Sequence, residues 1–109
     1  MLVNRNARAP YVTIANGATA SSALKFGDYA FGLFFIPSAF TGATVTFQVS
    51  YDGTTYVVLK DSSNTDISYT VTASKAYPFP DEASGAAYIK IISASAEGAA
   101  RTIYCSVKG

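Results

Sequence analysis

The chain has 109 residues, a length that accommodates one domain and can bury a core without disulfides or metal. Its net charge is +1 and its charged residues are scattered, which excludes a general electrostatic attraction to nucleic acid or to a membrane surface. Half of the residues are hydrophobic and only 14% are charged, against a usual ~25%. So little charge indicates that part of the surface is buried against another molecule.

The first ten residues show no strand pattern. They carry Arg5 and Arg8, and no acidic residue occurs before Asp28. Such a segment is either a solvated terminus or a basic arm that docks on a partner, and both interpretations stay open. We therefore divide the chain into an N-terminal arm, residues 1–10, and one domain, residues 11–109. Arg5 and Arg8 are the candidate contact residues of such an arm.

Three short apolar segments follow this arm. Residues 11–15 and 23–26 predict short strands. Residues 29–36 are almost wholly apolar, which is typical of a strand covered on both faces or covered by a neighbouring subunit. Gly32 within this strand predicts a bulge or a close backbone approach. Its candidate interface residues are Tyr29, Phe31, Leu33, Phe34 and Phe35.

The clearest strand pair is predicted over residues 43–59. In its first half apolar residues alternate with polar ones, which is the period of a half-buried strand. Asp52 and Gly53 tolerate the positive φ of a tight turn, and a second β-rich run follows them. We therefore predict a central antiparallel hairpin, with the other strands packed around it.

Two registers are open for this hairpin. A two-residue loop pairs Val49 with Tyr56. A three-residue loop with a bulge instead brings Val57 and Leu59 to the side of the sheet that carries Phe47. A slip of one residue turns every side chain of a strand to the other face, and composition does not decide between the two.

The second half of the chain predicts strands over residues 66–72, 87–92 and 101–107, and residues 73–85 are interpreted as a long connection. Turn signals recur at short intervals and no helical period is present. The expected fold is all-β: an antiparallel β-sandwich, jelly-roll-like, with seven or eight short strands.

The residue types argue against enzymatic chemistry. The chain contains no histidine, which removes Ser-His-Asp and Cys-His nucleophiles and the commonest metal ligand. Cys105 shares a strand face with Ile103 and Val107, so we expect it to be buried and unreactive. We expect no enzymatic activity, no catalytic residues and no cofactor.

The acidic residues fall in turns, loops and strand ends, where carboxylates serve solubility, so no pair is assigned to glycoside hydrolysis. Asp61, Asn64 and Asp66 lie within one loop and could offer oxygen ligands to calcium. Their spacing matches no EF-hand, and a solvated turn is the favoured interpretation. We therefore expect no metal site.

Eight tyrosines raise the question of sugar binding, since exposed aromatic rings on a β-sandwich can stack on sugar rings. Tyr51 and Tyr56, beside Asp52, are candidates for this, as are Tyr77 and Tyr88. Tyrosine is also an ordinary strand and interface residue, and that interpretation is favoured.

Four segments together resemble a recurring pattern in small bacteriophage virion proteins. They are TFQVSYDGTTYVVL, SYTVTASKAYPFP, AAYIKIIS and ARTIYCSVKG, in that order, and they cover roughly residues 45–108. The pattern joins a strand ending in S-x-D-G-x-x-Y to a Tyr-Pro-x-Pro segment, an Ile-Lys strand and a final Arg-Thr-Ile strand. Such proteins are similar to capsid decoration (cement) proteins or fibre modules.

The resemblance implies a non-enzymatic capsid decoration protein that binds and stabilises the assembled head shell. Its partner would be the major capsid protein, bound partly through the N-terminal arm with Arg5 and Arg8 as candidate capsid contacts, and its location would be the capsid surface of the virion. Phage shells often offer three-fold positions, so a homo-oligomer, most plausibly a homotrimer, is expected. The alternative is a carbohydrate- or receptor-binding module of a phage fibre or spike.

Overall fold

A computed structural model describes residues 8–27, 29 and 31–108. The described residues form nine strands and one short 3₁₀ turn, over residues Asp81–Gly85. The strands are β1 (Tyr11–Ile14), β2 (Leu24–Lys25), β3 (Phe31–Phe35), β4 (Thr44–Ser50), β5 (Val57–Val58), β6 (Ser68–Thr70), β7 (Ala76–Pro78), β8 (Tyr88–Ser93) and β9 (Arg101–Lys108). Among these residues no helix is long and apolar enough to cross a membrane.

The strands form two sheets. The first sheet has the strand order β1-β9-β3-β7, and the second has the order β2-β8-β4-β5, with β6 also paired to β4. All strand pairs are antiparallel. The apolar faces of the two sheets enclose one core, which confirms the antiparallel β-sandwich predicted from alternation and turn signals.

Aromatic rings from both sheets meet in the centre of this core. Phe34 of the first sheet lies 5.7 Å from Phe47 of the second, measured between ring centroids. Phe79, which follows β7, lies 5.1 Å from Phe34 and 6.3 Å from Phe47. All three side chains are buried, and the separations fall in the range that aromatic pairs prefer. The two sheets are therefore joined by a continuous aromatic cluster.

The predicted hairpin exists but is not the main pairing of its first strand. β4 pairs with β8 from Val45 to Ser50, whereas β5 contributes two residues. Val49 faces Val57, which is the pairing of the longer-loop alternative. The connection is a wide bend rather than a tight turn, because the Ser50 hydroxyl accepts hydrogen bonds from the backbone N–H groups of Asp52 and Gly53.

The segment interpreted as a long connection, residues 73–85, contains β7 and the 3₁₀ turn. β7 pairs with β3 at the edge of the first sheet, with Pro78 opposite Leu33. Proline has no N–H to donate to a ladder and is therefore tolerated in an edge strand. The two prolines concealed this strand from pattern reasoning, because they lower β-propensity without preventing pairing on one side.

Candidate functional site

The outer face of the first sheet is the most unusual surface of the molecule. Five large apolar side chains lie on it, each between 41% and 61% exposed: Tyr11, Phe31, Leu33, Phe35 and Tyr104. We call these five residues the aromatic face. With side chains of roughly 200 Å² each, about half exposed, the face presents on the order of 500 Å² of apolar surface. That lies at the upper end of what monomeric proteins expose, and such patches are commonly interaction sites.

The strand register brings these residues together. Tyr104 of β9 lies opposite Tyr11 of β1 on one side and opposite Phe35 of β3 on the other. The rings of Tyr11 and Tyr104 are 5.9 Å apart. Leu33 lies opposite Pro78 of β7, which continues the apolar surface to the sheet edge. The face therefore runs unbroken across all four strands of the first sheet.

Gly32 explains how β3 supports this face. A Cβ built on Gly32 would lie 2.6 Å from a methyl carbon of Val107 and 2.9 Å from the Ser106 carbonyl oxygen. Glycine thus permits the close backbone approach of β9 that its presence in the strand predicted. The strand stays regular, so Phe31 and Leu33 point outward together.

The outer face of the second sheet differs in character. Its outward positions carry mainly hydroxyl, amide and amino groups, among them Thr44, Thr46, Gln48, Ser68, Thr70 and Lys90. One face of the sandwich is thus suited to water and the other to burial. The outer surface of the first sheet is therefore the more apolar of the two.

The five predicted interface residues divide between the two sides of β3. Phe31, Leu33 and Phe35 belong to the aromatic face. Phe34 is fully buried in the core, and Tyr29 is half-buried with its ring 6.4 Å from that of Phe26. The expectation that Phe34 contacts a partner is corrected, because strand alternation places it inward.

Arg8 lies beside the sheet rather than on a separate arm. Its N–H donates to the carbonyl of Val107 and its carbonyl accepts from the N–H of Val107, both at 2.8 Å. The Pro10 carbonyl likewise accepts from the N–H of Cys105 at 2.8 Å. Strand pairing therefore begins before the boundary predicted at residue 10, while Arg8 itself remains exposed. Arg5 lies outside the described residues.

Three of the four candidate sugar-binding tyrosines are engaged within the protein. Lys90 Nζ lies 4.2 Å from the centroid of the Tyr56 ring. The Tyr88 ring lies directly against Gly53, and the Tyr77 hydroxyl accepts a hydrogen bond from the Thr72 N–H at 2.7 Å. The fourth, Tyr51, is 85% exposed.

The acidic loop has the geometry of a turn. Asp61 Oδ1 accepts hydrogen bonds from the N–H groups of Ser63 and Thr65, at 2.8 and 3.0 Å. Asp66 is paired with Lys60 across the base of the loop. Both carboxylates are thus occupied in closing the loop, which favours the turn interpretation over a calcium site. Within the described ranges no three metal-ligating side chains cluster.

Glu97 is the residue that pattern reasoning missed. The sequence placed it with the solubilising acids, yet its side chain is fully buried. Its carboxylate accepts hydrogen bonds from the Thr41 N–H and hydroxyl, the Gly42 N–H, the Ser93 hydroxyl and Arg101 Nε, at 2.9–3.1 Å. This network ties the loop before β9 to the loop before β4. The signal in the sequence that could have identified it is that Glu97 is the one acidic residue of a loop of small residues and lies four positions before Arg101.

The hydrogen bonds to Glu97 favour its charged form. Burial acts to raise the pKa of its carboxyl, but hydrogen bonds from Arg101, Thr41 and Ser93 outweigh burial and lower the pKa to about 2. Each carboxylate oxygen accepts from at least two donors. The role this geometry supports is structural, since the carboxylate has no path to solvent.

Cys105 is buried, as its position between Ile103 and Val107 predicted. Burial raises the pKa of its thiol to about 12, so almost no thiolate is present at neutral pH. We expect the native protein to react with an aromatic disulfide reagent at least ~100-fold more slowly than the same thiol in guanidinium chloride. Rapid release of one chromophore per chain under native conditions would contradict this.

Fold and surface together define a class: a two-sheet antiparallel β-sandwich with one exposed aromatic face. No family model matches the chain, and no curated protein sequence matches it. Among solved structures it is similar to the crystal structure of the SPBc2 prophage-derived protein YomS, with a TM-score of 0.61. The two share 13% sequence identity, and the match covers 100% of each chain. The likeness extends over the entire sandwich and shows a shared fold.

Proposed function

We propose that this chain is a structural protein of a bacteriophage virion, a capsid decoration protein that binds and stabilises the assembled head shell. The observation that carries the proposal is the aromatic face, because an exposed apolar surface of that size is typical of a subunit that becomes part of a larger assembly. The sandwich fold shared with a prophage-derived protein supports a phage origin. The segment pattern over roughly residues 45–108 supports a virion protein of the decoration or fibre type.

The proposed mechanism is non-enzymatic. A decoration protein binds the assembled shell and not its separated subunits, so mass action raises the free energy needed to take the shell apart. Linked copies bind several sites at once, and their avidity can exceed the affinity of one copy by ~10²–10⁴. The partner is the major capsid protein and the location is the outer capsid surface.

A reconstitution experiment tests the proposal. Head shells of the encoding phage, assembled without this protein, are mixed with increasing amounts of the purified chain and sedimented. We expect saturable binding at a fixed ratio to the major capsid protein, with density on the shell by electron cryomicroscopy. Shells carrying the protein should resist heat better than bare shells. Density confined to a tail fibre, or no binding to shells, would reject the decoration role.

Arg8 is the described residue through which a basic N-terminal region would contact the shell. Because charges at an interface edge act mainly on the association rate, Arg8→Glu should slow binding to shells about tenfold at low salt. The substitution should leave the fold intact, because Arg8 pairs with Val107 through its backbone N–H and carbonyl rather than through its side chain. Lys25→Glu, an equal charge change on the second sheet, is the matched control. Equal association rates for both variants would show that Arg8 makes no shell contact.

A second candidate function, a sugar-binding module of a fibre or spike, is favoured by Tyr51. This exposed residue lines an apolar groove of about 250 Å³ that also includes Val57, Leu59 and the acidic residue Glu82. An aromatic ring beside a hydrogen-bond acceptor is an arrangement that can hold a sugar ring. A glycan array separates the two functions. Binding that is lost in Tyr51→Ala supports the module, and an empty array rejects it.

A further inference from the structure

We infer that the aromatic face is covered by a second copy of this chain, in a twofold dimer formed by packing the first sheets of two subunits face to face. This inference does not require the decoration role, although both are argued from the aromatic face; in the dimer a shell contact would fall on the other surfaces of each subunit. A dimer that ignores head shells would reject the proposed function and leave the inference standing.

The size of the face suits such a partner. A standard stable interface buries about 800 Å² per subunit, and the five residues of the aromatic face account for roughly 500 Å² of that. Pro78 and the hydroxyl-bearing residues Thr13, Thr102 and Ser106 share the outer surface of the first sheet and extend the patch. A central apolar area with hydroxyl groups around it is the composition typical of a subunit interface.

The distribution of exposed apolar surface favours a twofold dimer over a cyclic trimer. In a twofold dimer the same patch serves both subunits, whereas a cyclic trimer needs two different patches on each subunit. The aromatic face is the larger group of exposed apolar side chains on the described surface, with five of the eight. The other three, Tyr51, Val57 and Val58, lie in or beside the β4–β5 hairpin, and the rest of the second sheet is mainly polar. Two sheets can pack face to face at about 10 Å with their side chains interleaved. The geometry therefore points to two copies rather than the three expected from shell symmetry.

Charge sets the orientation of the pair. Among the outward positions described on β1, β3 and β9, Lys108 is the charged one, and it lies opposite Phe31 at one end of the face. Arg8 is at the same end, with Asp81 close to Lys108. A twofold axis perpendicular to the strands places this net positive end over the Thr13 and Thr102 end of the other subunit. The two Lys108 groups are then separated by roughly the length of β9, about 23 Å.

The test compares two matched lysine substitutions by sedimentation equilibrium. Leu33 lies on the aromatic face and Val58 on the second sheet, and they are 41% and 43% exposed. Each variant therefore adds one charge at a strand residue of similar exposure. We expect the wild-type chain to sediment at twice its 11.4 kDa mass. Leu33→Lys should raise the dimer dissociation constant about 100-fold or more, and Val58→Lys should leave it unchanged.

Tyr104→Glu, at a more exposed site of the same face, serves as a second variant if Leu33→Lys does not fold by circular dichroism. A wild-type chain that stays monomeric at about 100 µM, where a dimer with a Kd of ~1 µM is almost fully formed, would overturn the inference. So would a trimer, or a Leu33→Lys dimer as tight as wild type. Two unit charges ~23 Å apart in water repel only weakly even without screening, so lowering the salt should not dissociate the dimer. Dissociation at low salt would overturn the orientation.

Discussion

Replacing Phe47 with alanine should lower the free energy of unfolding by about 3–5 kcal/mol. The side chain is fully buried in the middle of β4. Its ring lies 5.6 Å from that of Tyr69, in addition to the Phe34 and Phe79 contacts, so truncation removes packing on both sheets at once. The cavity that remains is enclosed by large rings attached to separate strands, which limits its collapse.

Urea or guanidinium denaturation monitored by circular dichroism measures this loss. Tyr51→Ala is the control, because its ring is 85% exposed and its removal should change stability by less than about 0.5 kcal/mol. Phe47→Leu, which keeps most of the volume, covers the case in which the alanine variant does not fold, and should cost about 1 kcal/mol. A loss below ~1 kcal/mol for Phe47→Ala would contradict its place in the core.

Glu97→Gln should destabilise the protein by about 3 kcal/mol at pH 7 although it changes no volume. Each carboxylate oxygen accepts from a backbone N–H, Thr41 at Oε1 and Gly42 at Oε2, so either orientation of the amide places its NH₂ group against an N–H that cannot accept. The substitution also leaves the largely buried Arg101 without its counter-charge. Asp66→Asn, at the exposed pair with Lys60, is the matched control and should cost well under 1 kcal/mol.

The effect of Glu97 should also appear in the pH dependence of stability. Its pKa is lowered from an ordinary value of 4.5 to about 2, so the folded state binds a proton less readily than the unfolded chain. The stabilisation is therefore complete above about pH 4.5 and is lost as the pH falls toward 2, over a range worth about 3 kcal/mol. Denaturation curves at pH 7, 4.5, 3.5 and 2.5 should show wild type losing stability more steeply than Glu97→Gln. Parallel pH profiles would contradict the network.

The dimer extends the interpretation of the low charge content. Only 14% of the residues are charged, and five of the eight exposed large hydrophobic side chains among the described residues lie on the first sheet. A pair of subunits that buries its aromatic faces would present mainly the polar second sheets to solvent. Those sheets, together with Arg8 at the rim of the first sheet, are the surfaces left for a capsid contact.

Local pattern was sufficient for the strands whose alternation reflects burial on one side. β9 was predicted with Ile103, Cys105 and Val107 on one face, and all three are buried. β4 was predicted in the same way from Val45 and Phe47. In each case the side-chain period of two and the inward direction of apolar residues are properties of the strand itself, so neighbouring residues suffice.

Pairing partners depended on contacts distant in sequence. Asp52 and Gly53 predicted that β4 pairs mainly with the strand that follows it. Instead β4 pairs with β8 for most of its length, because that pairing places Ile89 and Ile91 in the core. β7 likewise depends on a distant partner. Its two nearby prolines lower the β-propensity of the segment, and it forms a strand by pairing with β3 at the edge of the first sheet.

What the sequence by itself determined is the class of fold and the inward set of residues, since both follow from period and composition. What only the tertiary structure decided is which surfaces those strands build. The aromatic face joins residues from β1, β3 and β9, and its existence depends on the order β1-β9-β3, which no local pattern encodes. Glu97 can be buried because hydrogen-bond donors of residues 41–42, more than fifty residues away in the sequence, meet its carboxylate. Whether a carboxylate is solvated depends on these surroundings and not on its residue type.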